Sequence, residues 1–325
     1  MSARLIPYAT RDEWAADRRS GAPDYEVGAS DAAGLVGLSP WASPWDSYAS
    51  GRVGGGDPPS EADARRGHLV EATAVALWAA DVGARVWSTD GLWAPDSDAV
   101  PRLPLLRARA GWLAVTPDAL AILADGRIVA VEAKAPRSMD GWPEDDTTIR
   151  DPDAEGVPVP AHYAVQAACQ LYALLSAGVQ LHAVILTASS GWAYRRVVTF
   201  ETTPAVRAWA QRIVAHVGAA RRRLLIERQE PSPDASAACL AALRARLPEA
   251  ATTVEAGEDE AALMAAFAEA REQAAEAAAA LDEIRPRLLA ALTARGARAM
   301  TSERYRLSAS KAGALSVRPN SRSNQ

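Results

Sequence analysis

Thr116-Pro117-Asp118 and, fourteen residues beyond that aspartate, Glu132-Ala133-Lys134 bracket the segment whose reading decides the fold. Ala119 to Leu123 and Arg127 to Ala133 are rich in aliphatic residues and flank Asp125-Gly126, which predicts two antiparallel strands joined by a tight turn. Side chains alternate along a strand, so Asp118, Glu132 and Lys134 share a face only if even-numbered residues pair with even-numbered ones. A two-residue turn at Asp125-Gly126 pairs odd with even. The segment therefore predicts a glycine bulge at Gly126, a bend at Pro117, or both.

Lys134 stands out in composition as well as position. Lys134 and Lys311 are the only lysines among 35 basic residues. In a chain that otherwise uses arginine, an ammonium beside two carboxylates suggests a site that needs a compact point charge rather than a planar guanidinium. Asp118 and Glu132 offer hard oxygen ligands suited to Mg²⁺, and the backbone carbonyl of Ala133 can join them. Lys134 is then placed to orient an attacking water and to offset charge growing on a phosphate. Two ions would be held mainly by Asp118, with Glu71 completing the outer position. The competing reading is plainer: Glu132 and Lys134 as an exposed strand pair, and Asp118 as a turn residue after proline.

The rest of the chain supplies the frame. Its 325 residues, 49% of them hydrophobic, allow one large domain with an appendage or two modest domains. Cys169 and Cys239 are far apart and form no Cys-x-x-Cys pair, which speaks against a disulfide framework or a zinc or iron–sulfur cluster and favours a reducing, cytoplasmic setting. Cys169 falls inside a helix and reads as a small buried apolar residue. No apolar run approaches the roughly 20 residues of a membrane span, and Met1 to Trp14 carries no signal-peptide core. A net charge of −5 excludes a general polyanion coat but leaves room for a local basic groove.

Glu61 to Val82 reads as a helix with Glu71, Ala74, Val75 and Trp78 on one stripe. A short helix is expected after Ser30 or Asp31, turns at Leu38 to Trp41 and Ser43 to Trp45, and a functional flap at Met139 to Val159. Helices are expected over Pro160 to Gly178, Pro204 to Arg228, Asp234 to Leu247 and Glu258 to Arg295, with strands at Ala84 to Trp87, Trp112 to Val115, Leu181 to Ala188 and Tyr194 to Phe200. Tyr163, Gln166 and Gln170 share one side of their helix. The apolar seam from Leu263 to Leu292 reads as an intramolecular helical hairpin, with a coiled coil to a partner as the alternative; Pro286 is expected to kink or restart its helix, and the tail after Leu315 to fray.

Several motifs together resemble a known family, the lambda-exonuclease-type (YqaJ-like) viral recombinase nucleases of the restriction-endonuclease-like PD-(D/E)xK superfamily. The motifs, in chain order, are Glu13-Trp14 followed by Arg18-Arg19, Gly28 to Ala33 with Leu35 to Pro44, Gly67-His68-Leu69-Val70-Glu71, Thr116 to Leu120, Glu132 to Pro136 and Tyr163-Ala164-Val165-Gln166. Their order and spacing agree over about residues 10 to 230, and the helices ending in Tyr305-Arg306-Leu307 resemble the family's usual extension. Ala119 stands where the family usually has glycine, and Ala133 and Ala135 replace bulkier residues.

The resemblance implies an α/β fold with a central mixed β-sheet flanked by helices, a nuclease domain over residues 1–230 and a C-terminal α-helical extension over 231–325. It implies Mg²⁺- or Mn²⁺-dependent hydrolysis of double-stranded DNA from a 5′ end, with Asp118 and Glu132 as metal ligands, Lys134 serving the water, Glu71 in an outer or second shell, and Gln166 positioning phosphate or water. Arg18, with Arg19 as an equal alternative, Ser30 and Thr116 would hold the terminal 5′ phosphate. The product would be a 3′ single-stranded overhang for a strand-annealing partner, in a phage or prophage setting, and family members form homo-oligomeric rings. Two rivals keep the fold: a restriction-type endonuclease, and a catalytically silent protein that binds DNA ends. His68 stands as a metal or phosphate contact or a structural hydrogen-bonder. Arg221, Arg222, Arg223 and Arg228 stand as a DNA grip or a solvated basic face, and Trp41 and Trp45 as a DNA-end wedge or packing residues.

Overall fold

Alternating apolar side chains build the first part of this molecule around a central sheet whose two faces are both covered. A computed structural model describes residues 3–8, 10, 12–13, 16–17, 25–53, 61–88, 91–94, 96, 106–136, 138–191, 194–248, 253–311 and 313–319. The strands run, in chain order, β1 (Arg4–Pro7), β2 (Val27–Gly28), β3 (Arg85–Ser88), β4 (Gly91–Trp93), β5 (Leu106–Ala110), β6 (Leu113–Val115), β7 (Ala119–Ile122), β8 (Ile128–Lys134), β9 (Thr147–Ile149), β10 (Leu181–Gly191), β11 (Tyr194–Glu201), β12 (Ala299–Thr301), β13 (Tyr305–Ala309) and β14 (Leu315–Pro319). The helices are α1 (Ala32–Leu35), α2 (Pro44–Ser50), α3 (Glu61–Val82), α4 (Pro152–Glu155), α5 (Ala161–Ser176), α6 (Pro204–Arg221), α7 (Ala237–Arg244) and α8 (Glu258–Ala294), with a π-helical turn at Arg222–Ile226 after α6.

The central sheet has the order β4-β3-β7-β8-β10-β11-β9. It is mixed: β8 runs parallel to β10 and β9 parallel to β11, while β7–β8 and β10–β11 are antiparallel. The period-2 rule separates its two faces cleanly. Odd-numbered Ala119, Ala121, Val129, Val131, Ala183 and Ile185 join Ala74, Val75 and Trp78 of α3 in one core, as the helix stripe predicted. Even-numbered Leu120, Ala130, Val184 and Leu186 join Ala164, Val165, Ala168 and Leu171 of α5 in the other. A fold of mixed sheet flanked by helices is what the sequence led us to expect.

A smaller sheet, β1-β5-β6-β2, lies in the same unit. β6 belongs to this sheet and β7 to the central one, so the chain changes sheets across Thr116-Pro117-Asp118, with Pro117 buried. At the other end of β7, Leu123 N–H donates to Arg127 O and Gly126 N–H to Leu123 O, and Gly126 has φ 86°. Residues 124–126 thus form a three-residue loop closed by a left-handed glycine, which adds the residue that a two-residue turn lacks. The register follows: Ile122 pairs with Ile128 and Leu120 with Ala130, even with even.

Several expectations need correction. Ser43-Pro44-Trp45 is not a bare turn but the start of α2: Ser43 and Asp46 form a reciprocal capping box and Pro44 takes the first helical turn, where a missing N–H costs nothing. Met139 to Val159 is not a free flap, because Thr147–Ile149 pairs in parallel with β11, Asp146 accepts from Val197 N, and Trp142 and Ile149 are buried. Arg4–Pro7 and Leu106–Ala110 form strands that propensity alone did not reveal.

Backbone packing divides the chain at Leu247/Pro248 rather than at 230/231. Residues 231–247 stay with the first unit because Trp45 Nε1 donates to Ser232 O at 2.9 Å, Ser43 and Ser236 hydroxyls meet at 3.0 Å, and Cys239 is buried. In the second unit, Pro248–Gln325, α8 runs to Ala294 and the antiparallel meander β12-β13-β14 follows, so sheet stands between Ala299 and Pro319 where helix and a frayed tail were expected. Pro286 neither stops nor restarts α8, which runs 37 residues. Nor does the seam close in a helical hairpin: Leu263, Phe267, Leu281 and Ile284 are exposed.

Candidate active site

β8 places two kinds of residue at its end. Val129, Val131 and Ala133 point into the α3 core, so Glu132 and Lys134 must emerge on the face covered by α5. Continuing the β7–β8 register one step past Ala119↔Val131 brings Asp118 level with Glu132. Asp118 Oδ2 accepts the Ala133 N–H at 2.7 Å. In an extended strand the N–H and C=O of one residue open to the same side, so the Ala133 carbonyl also faces Asp118.

Glu132 is buried, and each of its oxygens has a partner. Gln166 Nε2 and Lys134 Nζ donate to Oε1, the lysine at 2.6 Å, and Gln170 Nε2 donates to Oε2. Gln166 and Gln170 are one helical turn apart on α5 and reach the same carboxylate. Gln170 is the residue that sequence reading placed on the correct helix side without assigning it to the site. Its spacing from Gln166 was the clue.

The electrostatics are unbalanced toward negative charge. Burial, then the charge of Glu132 and, more weakly, that of Glu71, push Asp118 well above the usual carboxylate range, against the opposing pull of Lys134 and the Ala133 N–H. Burial disfavours the Lys134 ammonium, but Glu132 and Asp118 outweigh it, so its pKa is raised and the lysine stays charged at neutral pH. Lys134 Nζ also stands 5.4 Å from the Tyr163 ring centroid. An aromatic group continues outward: Tyr163 to His162 at 3.9 Å, and His162 edge-on to Trp41 at 4.9 Å. Burial, with Lys134 nearby, holds His162 down at about 4, so the ring is neutral. Arg66 anchors the chain after β8 by donating to Ala135 O at 2.8 Å.

The donor chemistry fits a hard divalent cation. Asp118, the Ala133 carbonyl and Glu132 are oxygen donors, and one lysine does not offset the carboxylate charge gathered there. Glu71 lies on α3, which covers the other face of the sheet, and its contribution is a charge felt at Asp118. Among the described residues no three His, Cys, Asp or Glu side chains converge as a ready-made cage. Such a cage is not what Mg²⁺ needs, since it keeps several waters.

β2 runs parallel to β6, with Val27↔Leu113 and Gly28↔Ala114; exposed Ser30 lies in the turn just after β2, and Thr116 directly follows β6, two residues before Asp118. Arg18, Arg19 and Trp14 lie outside the described residues, as does the side chain of His68. Arg221 and Arg228 are committed within the fold, donating to Tyr25 O and Tyr48 O and lying over the Trp112 and Tyr48 rings, whereas Arg222 and Arg223 are exposed. Trp45 is fully buried and Trp41 is 64% exposed, so the two tryptophans divide between packing and surface. Burial pushes the Cys169 thiol up to about 12, which removes it as a nucleophile. Among the described residues no helix is long and apolar enough to cross a membrane.

No family model matches this chain, and no curated protein matches it. Solved structures similar to this chain include the following two. A crystal structure of LHK-Exo in complex with dAMP is 18% identical, covering 66% of this chain and 97% of that one with a TM-score of 0.38. A crystal structure of an alkaline exonuclease, LHK-Exo, from Laribacter hongkongensis is 16% identical, with the same coverage and a TM-score of 0.36. Likeness this distant leaves function to be judged from the chain's own residues.

Proposed function

We propose that this protein is a Mg²⁺- or Mn²⁺-dependent deoxyribonuclease, an exonuclease that hydrolyses phosphodiesters of double-stranded DNA from 5′ ends and leaves 3′ single-stranded overhangs. The observation that carries this reading is the face shared by Asp118, Glu132 and Lys134, where a buried and a half-buried carboxylate outnumber the one ammonium beside them. A bound divalent ion would polarise a phosphate oxygen and lower the pKa of a coordinated water. Asp118, the Ala133 carbonyl and Glu132 would hold it, with Glu71 in an outer position and a second ion sharing Asp118.

The chain's own groups supply the rest. Lys134 would donate hydrogen bonds, orienting the water and offsetting charge on the phosphate as the water oxygen bonds to phosphorus, the ester P–O bond breaks and the water's proton passes through solvent to the departing oxygen. Gln166 and Gln170 fix the Glu132 carboxylate against rotation, which keeps its oxygens aimed. Ser30 and Thr116, at neighbouring strand ends, suit the terminal 5′ phosphate, with Arg18 or Arg19 as the cation. The substrate setting is a cytoplasmic one of phage or prophage recombination, with a strand-annealing protein as partner and a homo-oligomeric ring as the assembly.

The test is release of label from a 5′-labelled linear duplex with Mg²⁺, Mn²⁺ or chelator. Metal-dependent release that disappears in Lys134→Ala and Asp118→Ala is expected. No release from the unmodified protein with either metal, or full activity in both variants, overturns the reading. Cutting of closed circular DNA would make it a restriction-type endonuclease, and binding of DNA ends without cleavage a silent end-binder.

A further inference from the structure

The basic end of α6 borders a groove away from the candidate active site, lined by Trp112, Tyr172, Gln211, Arg221, Arg222 and Arg223 and about 630 Å³ in volume. No aspartate or glutamate lines it, in a chain whose net charge is −5. The arginines divide their roles. Arg221 donates to Tyr25 O and lies over the Trp112 ring, whereas Arg222 and Arg223 are exposed. Arg212, earlier on the same helix, is instead held by Asp153. Trp112, at the β5–β6 turn, is seated on α6 at Gly218: a Cβ there would stand 2.7 Å from Trp112 Cζ2, so a larger residue would push the indole away. Tyr172 is half-buried in the same groove. It follows Gln170 by two residues on α5, about 200° round the helix, so the groove opens on the side of α5 away from Glu132.

We infer that this groove binds single-stranded DNA, with Arg222 and Arg223 on backbone phosphates and Tyr172, beside the seated Trp112, against an unpaired base. Two features choose that occupant. Arginines without an acidic neighbour attract phosphates, and the aromatic rings add a contact that only an unpaired base can use. In a duplex the bases are stacked on one another and the backbone faces outward, so the rings would go unused. For the source of the strand the inference rests on the exonuclease reading: resection from a 5′ end leaves the complementary strand unpaired, and that strand is the one not cut beside Glu132.

The experiment is fluorescence anisotropy of the full chain with a labelled thymidine oligonucleotide in chelator, so that binding is read without cleavage. Arg222→Gln with Arg223→Gln is expected to weaken binding by about tenfold and to reduce the slope of log affinity against log salt by about 1.4, two phosphates at about 0.7 each. Tyr172→Ala is expected to weaken it by about tenfold, near the lower end of what one stacked base contributes, and Tyr172→Phe to leave it unchanged. The two arginines are exposed, so their variant tests the groove even where Tyr172→Ala disturbs α5. Unchanged affinity in the arginine variant overturns the proposal. So does an equal loss for a duplex of the same length, full competition by polyglutamate, which has charge and no rings, or a changed sedimented mass of the arginine variant, as when a neighbouring copy in a ring covers the groove. Cleavage of a 5′-labelled duplex with Mg²⁺ or Mn²⁺ is measured in parallel. No cleavage by the unmodified protein sinks the exonuclease reading, and with it the origin of the strand, but not the groove; cleavage with single-strand affinity unchanged in the arginine variant sinks the groove alone.

Discussion

Gln170 holds one oxygen of Glu132 while Gln166 and Lys134 share the other. Three donors on a buried carboxylate leave it little freedom to turn. Gln170→Ala removes one of them and strands a buried carboxylate oxygen, for a stability cost of roughly 1–3 kcal/mol. Turnover is expected to fall by about 10- to 100-fold, the usual effect of losing a group that orients a metal ligand. Thermal unfolding and single-turnover cleavage measure the two effects separately, and unchanged turnover would assign Gln170 to stability alone.

Lys134→Arg tests the geometry of the charge. The substitution keeps a cation but replaces a compact ammonium with a planar fork wedged between Glu132 and the Tyr163 ring. Lys134→Ala is expected to lower turnover by about 10²- to 10³-fold, as for loss of one transition-state donor. Lys134→Arg is expected to restore little of it. Rescue to near the original rate would show that charge alone suffices.

The two tryptophans of the α1–α2 region should separate binding from folding. Trp45 is fully buried and Trp45→Ala should cost about 3–5 kcal/mol, read by denaturant titration. Trp41 is exposed at the outer end of the aromatic group that begins over Lys134. Trp41→Ala should leave stability nearly unchanged and weaken DNA binding by about 1–3 kcal/mol, the worth of one stacked base. Equal DNA affinity for Trp41→Ala and the unmodified protein would make that ring a surface bystander.

The N-terminal sheet carries an ion network that composition did not suggest. Arg107 and Arg109 on β5 are buried and face Asp17 and Glu26. Burial pushes the Asp17 carboxyl up, but hydrogen bonds from Tyr8 and Arg107 and the charges of both arginines prevail, and its pKa is lowered. A lowered carboxyl stabilises the fold above its unfolded value near 3.8 and loses that contribution as pH falls through the folded value. Asp17→Asn should therefore destabilise by roughly 1–3 kcal/mol at neutral pH, with the gap closing in acid. A gap independent of pH would place the effect in packing.

Asp118 has the opposite sign. Its raised pKa means that the metal-free fold is favoured below the ordinary carboxylate value and loses stability as pH rises through the raised one. Divalent metal should reverse the loss, by about 2.7 kcal/mol at a hundredfold excess over Kd. Asp118→Asn should stabilise the metal-free protein at neutral pH and abolish the response to Mg²⁺. Calorimetry with and without chelator reads both, and an unaltered Mg²⁺ response in the variant would move the ion elsewhere.

Sequence patterns revealed most of the central sheet because its signs are local: alternation in β7 and β8, a glycine at the turn, and the Ala74, Val75, Trp78 stripe of α3. The same locality exposed Asp118, Glu132 and Lys134 as neighbours. What stayed hidden depends on partners distant in sequence. β1 is a strand because β5 lies beside it, β9 because β11 does, and Ser232 to Cys239 joins the first unit through Trp45 and Ser43. The Gln170 hydrogen bond spans 38 residues, and nothing in the helix itself distinguishes that amide from a solvated one. The open face of α8 escaped for a related reason. A heptad pattern tells that a helix needs a neighbour, but not whether the neighbour comes from the same chain.

The three-residue loop at Gly126 has one further consequence, for the order of assembly. Asp118, Ala133, Glu132 and Lys134 meet through a hairpin whose partners are separated by at most sixteen residues, from Asp118 to Lys134. Short loops close quickly, so contacts of this kind form early as a chain folds. The paired acids would then face each other before α5 arrives with its glutamines. Glu132 would spend that interval solvated, and its desolvation would come only when Gln166 and Gln170 are ready to replace the lost water.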